Sequence, residues 1–152
     1  MKFEMWVNVT VRDKNGKVIQ WVRKRKCSSY VRAMMDILRS QMANGATSAV
    51  DTGGTTRSLV GVNIAAFQCD AAVGVTTNGI RVGTGTTAVT IGDYTLVTPI
   101  AEGVGAGQLS HGVTSVGTPS TVDTSRRFTV ARTFTNNSGA SITVNEVALY
   151  VL

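Results

Sequence analysis

Residues 3–11 alternate apolar and polar side chains, with Phe3, Met5, Val7, Val9 and Val11 on one side and Glu4, Trp6, Asn8 and Thr10 on the other. A period of two is that of a β-strand with one face covered. Asp13-Lys14-Asn15-Gly16-Lys17 then reads as a hairpin turn, and the chain returns as a second strand through Lys26. A two-residue Asn-Gly loop would set Val11 opposite Gln20 and Val7 opposite Lys24, which wastes the apolar face. A three-residue loop with Gly16 in the left-handed region pairs Val11 with Ile19 and Val9 with Trp21. It also sets Glu4 opposite Lys26 and Lys24 beside Trp6. A slip of one residue turns every side chain to the other face, so the second register is expected.

Beyond the hairpin, the period lengthens. Val31, Met34, Met35, Leu38 and Met42 recur at steps of three and four, Ser28 or Ser29 is placed to cap, and Asn44-Gly45 is a stop. This predicts one amphipathic helix near residues 29–43, its methionine stripe laid on a sheet and Arg32, Asp36 and Arg39 facing water. After Gly45, short alternating segments near 57–68, 79–83, 94–100, 108–116, 126–135 and 141–152 are separated by Gly- and Asn-rich turns. Regular short strands with turn signals point to a mainly β, antiparallel domain of sandwich, jelly-roll or barrel type. No repeat or long linker divides it. Residues 1–152 are expected to form one domain, with 1–45 a basic hairpin plus helix and 46–152 the remaining strands.

Composition supports this class. Hydrophobic residues make up 43% of the 152, but aromatic residues only 6%, so Val, Ala, Ile and Leu carry the apolar weight. Val and Ile, with the abundant Thr, have the stiff branched Cβ that suits a pleated strand. Charge changes the picture more. Residues 1–45 hold ten Lys and Arg against three acids, a net +7, which leaves the rest of the chain at −1. The basic character thus belongs to the hairpin and helix, where it suits a solvated face, nucleic acid or an acidic protein surface. Cys27 and Cys69 make no disulfide framework and are expected as free thiols. The N-terminus enters a strand directly, which predicts no signal peptide, and no apolar run approaches the roughly 20 residues that span a bilayer. The chain is expected to be made in a cytoplasm.

Candidate chemistry is sparse. His111 is the sole histidine and has no neighbouring cysteine or acid in sequence, so it is expected as a half-exposed strand residue, not a triad member or metal ligand. Gly83-Thr84-Gly85 and Gly103-Val104-Gly105-Ala106-Gly107 resemble phosphate-binding loops superficially, yet no Gly-Lys-Ser/Thr follows either. Asp51, Asp70, Asp93, Glu102 and Asp123 are scattered without calcium-loop spacing. No catalytic, cofactor or metal site is predicted, and no enzymatic activity. Arg23-Lys24-Arg25-Lys26, flanked by Trp21 and Tyr30, is the candidate contact for nucleic acid or an acidic partner, although strand alternation would split it, Lys24 and Lys26 one way and Arg23 and Arg25 the other. Finally, pairing Phe134 with Val144 would bring Val130 to Ala148 and Arg132 opposite Glu146, a structural ion pair fixing register.

Two stretches carry a resemblance. Ile80-Arg81-Val82-Gly83-Thr84-Gly85 with Asp93-Tyr94-Thr95-Leu96 is one half. Arg132-Thr133-Phe134-Thr135-Asn136-Asn137-Ser138-Gly139 with Ile142-Thr143-Val144-Asn145-Glu146-Val147-Ala148-Leu149-Tyr150 is the other. Together they resemble small β-rich virion structural proteins of tailed bacteriophages, of head decoration (cement) or of tail, neck and fibre-adaptor type. The resemblance implies a virion location, many copies in symmetric assembly, contact with a major capsid or tail protein, and no cofactor, membrane or small-molecule substrate. It carries no site residues across.

Overall fold

A computed structural model describes residues 4–27, 31–43, 46–59 and 67–152. The strands are β1 (Trp6–Arg12), β2 (Val18–Lys26), β3 (Thr47–Val50), β4 (Thr56–Leu59), β5 (Gly79–Gly83), β6 (Ser110–Val116), β7 (Ser120–Val122), β8 (Ser125–Arg127), β9 (Val130–Thr135) and β10 (Glu146–Tyr150), with one helix, α1 (Arg32–Ala43). The chain is mainly β and antiparallel, as its alternation predicts. The described strands pair as five two-stranded ribbons, β1–β2, β3–β4, β5–β10, β6–β9 and β7–β8, and none closes into a barrel.

The first turn forms the three-residue loop. Gly16 has φ 81°, its N–H donates to the Asp13 carbonyl, and the Asp13 N–H donates to the Lys17 carbonyl. The expected pairing beyond the turn does not follow. Arg12 pairs with Val18, but Ile19 is bulged out, so Val11 faces Gln20, Thr10 faces Trp21 and Val9 faces Val22. A second bulge at Arg23–Lys24 then sets Val7 opposite Arg25 and Trp6 opposite Lys26. Lys24 takes φ 47°, held there by its N–H donating to Asn8 Oδ1 at 2.8 Å. The expected register assumed a covered apolar face. Val9, Val11, Val18, Ile19, Trp6 and Trp21 are all exposed, so burial does not enforce that register and local side-chain bonds settle it.

The helix is likewise in place but turned. Ile37 and Ser40 are its buried residues, whereas Met35 is 56% and Met42 81% exposed, and Leu38 sits at the edge of exposure. The helix packs against β3, whose inward residues are Thr47 and Ala49. The proposed caps Ser28 and Ser29 and the stop Asn44-Gly45 lie outside the described residues, as do Tyr30, residues 1–3 and most of the expected strand at 57–68.

The rest of the chain is stitched around β5. On one edge β5 pairs with β10, from Glu146 opposite Gly83 to Tyr150 opposite Gly79. On the other runs 98–100, with Ile100 N–H to the Val82 carbonyl and Thr84 N–H to the Thr98 carbonyl. Pro99 has no N–H to give, so the expected strand at 94–100 is reduced to a single bridge. Leu109 N–H reaches the Ala101 carbonyl and hands the layer on to β6. β6 and β9 form one long arm continued by β7 and β8, turning at Asp123-Thr124 with φ 52° at Asp123. The core between these pieces is Val82, Ile100 and Leu109, with Phe134 and Ile142 packed on it.

Candidate functional site

The predicted Arg132–Glu146 pair is not formed. β9 pairs with β6 and β10 with β5, so the two residues never face each other. Each serves backbone instead. The Arg132 guanidinium donates to the carbonyls of Gly112 (2.9 Å), Ile80 (3.0 Å) and Val75 (2.6 Å), tying β6 and β5 to the loop before β5. It also stacks 5.7 Å from the Phe134 ring centroid. The Glu146 carboxylate accepts N–H bonds from Gly85 (2.6 Å), Val97 (2.8 Å) and Thr98 (3.0 Å). Four residues on and on the same face, the Tyr150 hydroxyl accepts the Leu96 N–H at 2.8 Å. β10 thus grips the 95–98 segment by two side chains, which stands in for the missing ladder.

This explains Gly83-Thr84-Gly85. A Cβ at Gly83 would lie 2.7 Å from Glu146 Oε1 and 2.6 Å from the Thr98 carbonyl, and one at Gly85 would lie 2.6 Å from Glu146 Cδ. The anion held at this phosphate-loop look-alike is the chain's own carboxylate. Side chains there would push Glu146 off its three amides.

His111 is in β6, as expected, but it is 1% exposed, not half-exposed. Glu102 lies beside it, its Oε2 accepting the His111 backbone N–H at 2.6 Å and standing 3.5 Å from Nδ1 without hydrogen-bond geometry. The ring packs edge-on to Phe134 at 5.0 Å. Burial, reinforced by Arg81 and Arg132 and partly offset by Glu102, lowers its pKa below 6.5. Arg81, also buried, donates to the carbonyls of Thr76 (2.7 Å) and Ile100 (3.0 Å). An imidazole with both nitrogens sealed from solvent has no substrate within reach, so this cluster is read as core. Burial also raises the thiol pKa of Cys27 and Cys69, both free. No group of three or more His, Cys, Asp and Glu among the described residues could hold a metal, and no described helix is long and apolar enough to cross a membrane.

The surface concentrates its unusual features on the β1–β2 hairpin. The bulges reassign faces: Trp6, Thr10 and Arg12 point the same way along β1, and their partners Lys26, Trp21 and Val18 point with them. Both tryptophans therefore share one face, 49% and 58% exposed. The Arg23 guanidinium lies 4.0 Å over the Trp21 ring. Lys26 pairs with Glu4 at 3.1 Å, and Arg25 goes to the opposite, valine face. Arg12, Trp21, Arg23 and Lys24 line one shallow depression. Alternation thus does not split the basic run as expected, since the bulge returns Arg23 and Lys26 to the same side. Nothing in the sequence signals that bulge, because Lys24 is no usual left-handed residue. The approach of Glu102 to His111 did leave a trace: the glycine-rich stretch 103–107 between them folds back tightly, with Gly103 at φ 148° and Gly107 at 74°.

Two outcomes follow. Glu146→Ala should cost about 2–4 kcal/mol in urea unfolding, since three amides lose a charged acceptor. Because Arg132 serves other groups, combining it with Arg132→Ala should give additive losses within about 0.5 kcal/mol, whereas a direct ion pair would show larger coupling. For His111, the folded state binds its proton less readily than the unfolded chain. Stability is therefore complete above pH 6.5 and declines as pH falls below that value, and His111→Gln should flatten this slope between about pH 7 and 5 in the same urea titrations. Searches against protein-family models, curated proteins and solved structures return no match to this chain, so these roles rest on geometry alone.

Proposed function

We propose that the chain is a non-enzymatic structural subunit of a tailed-bacteriophage particle, a head decoration or cement protein that works by contact with copies of itself and with a major capsid protein. The observation that supports this reading is area. The chain exposes 10560 Å². A compact monomer of 16.0 kDa exposes about 7,400 Å². The surplus, about 3,000 Å², exceeds the roughly 800 Å² that one partner gives to a standard interface. Large apolar side chains are exposed on the narrow ribbons (Ile19, Trp21, Val113) and on the helix stripe (Met35, Met42), surfaces that a lattice neighbour would cover. The small single domain without coiled-coil heptads favours decoration over a tail, neck or fibre-adaptor role, which would use the same surfaces in another symmetry.

Contacts made only in the assembled state add to folding stability, so the thermal midpoint should rise with protein concentration or on adding phage heads. Sedimentation velocity at micromolar concentration should show self-association, or co-sedimentation with heads and not with isolated tails. A strict monomer, with a midpoint indifferent to concentration and no affinity for any particle, contradicts the proposal.

A further inference from the structure

The hairpin face bearing both tryptophans fits a ligand of definite chemistry. It combines two broad, half-exposed indoles with the cations Arg12, Arg23 and Lys24 around them, and with Lys26, which is paired with Glu4. Residues 4–27 carry seven Lys and Arg against Glu4 and Asp13, a net +5, while residues 46–152 sum to −1. The described body of the molecule therefore offers no compensating acidic surface, and the charge calls for an external polyanion. An anion alone would not need the tryptophans. Leaving two indoles in water is costly unless something flat covers them, and a nucleobase is the flat partner that comes attached to a polyanion.

We propose that this face binds single-stranded nucleic acid, with bases stacking on Trp6 and Trp21 and phosphates neutralised by the flanking Arg and Lys side chains. In a duplex each base face is already occupied by its neighbours, so exposed indoles select the single strand. Trp21 pairs with Thr10, four residues from Trp6, so the two side chains are about 13 Å apart along the ribbon, a span that a few nucleotides of one strand cover. Arg23 over Trp21 is ready to sandwich an incoming base or to yield its place to one. Binding depends mainly on stacking geometry and charge, which every base can satisfy.

The chain has two tryptophans and both lie here, so their intrinsic fluorescence reports the site directly. Full-length protein titrated with a fluorescein-labelled oligothymidylate at about 50 mM salt should bind it, and unlabelled oligothymidylate should quench tryptophan emission. Affinity should fall steeply by about 200 mM salt. Inorganic polyphosphate of matched length should bind weakly and leave emission unchanged, and duplex of the same length should compete poorly. Trp6→Ala and Trp21→Ala should each weaken oligothymidylate binding about five- to a hundredfold. The double variant Trp6→Phe with Trp21→Phe, which keeps a stacking ring and the hairpin's apolar surface, should stay near the parent affinity. Equal binding of polyphosphate and oligothymidylate, or binding with unaltered emission, overturns the proposal. So does a tryptophan pair whose replacement by alanine abolishes self-association but spares oligothymidylate binding, which would make this face a protein contact.

Discussion

A two-stranded ribbon satisfies only half of its main-chain groups, and five such ribbons would leave many N–H and C=O groups without partners. Glu146 and Arg132 supply the partners at the places where ribbons meet. One formal charge accepts three N–H groups from the 83–98 region, and the other donates to three carbonyls from β6, β5 and the loop before β5. Charged groups bond backbone about twice as strongly as neutral ones, so two side chains can replace a good deal of missing ladder. Arg81 does the same on a smaller scale between Thr76 and Ile100. The small apolar cluster of Val82, Ile100 and Leu109, with Phe134 and Ile142 packed on it, is built on top of that arrangement.

This division of labour shapes what the molecule can do. The polar interior is committed to holding segments together, and His111 is sealed within it, leaving little there for chemistry. The exterior is where large apolar and basic side chains are exposed: the Met35, Leu38 and Met42 stripe on the helix, and the two dissimilar faces of the hairpin. One hairpin face carries Val7, Val9 and Val11 beside Arg25, and the other carries both tryptophans with the remaining basic side chains. A protein that acts by lying against neighbours can use the first, and the second can serve a different partner at the same time.

Much of this was legible from the chain. Alternation locates β1, β2, β5, β6, β9 and β10, and the spacing of three and four locates α1. What failed was long-range pairing. The stretch Asn136-Asn137-Ser138-Gly139 looks like a hairpin turn, so β9 and β10 were expected side by side. Instead 136–145 crosses from one ribbon to another, which local pattern does not encode. The helix is turned so that Ile37 and Ser40 are buried while Met35 and Met42 stay exposed, a rotation that the apolar spacing of the stripe does not encode. The hairpin register departs from the alternation because no described residues cover the valine face, so burial does not select between registers. Trp21 was consequently placed with the valines, and the aromatic face could not be seen until the bulge at Lys24 was known.

The body around β5, β6, β9 and β10 is tied together by its own side-chain bonds, whereas in the proposed assembly the hairpin and helix would be completed by a partner. An isolated two-stranded hairpin is marginal in water, and local opening reports such differences. Hydrogen exchange of the chain alone and in its assembled state, followed by mass spectrometry, measures this segment by segment. The account predicts that amides of β5, β6 and β10 are protected in both states, and that residues 4–27 and 32–43 exchange quickly alone and slowly when assembled. Hairpin amides as protected in the free chain as those of β5 would contradict it.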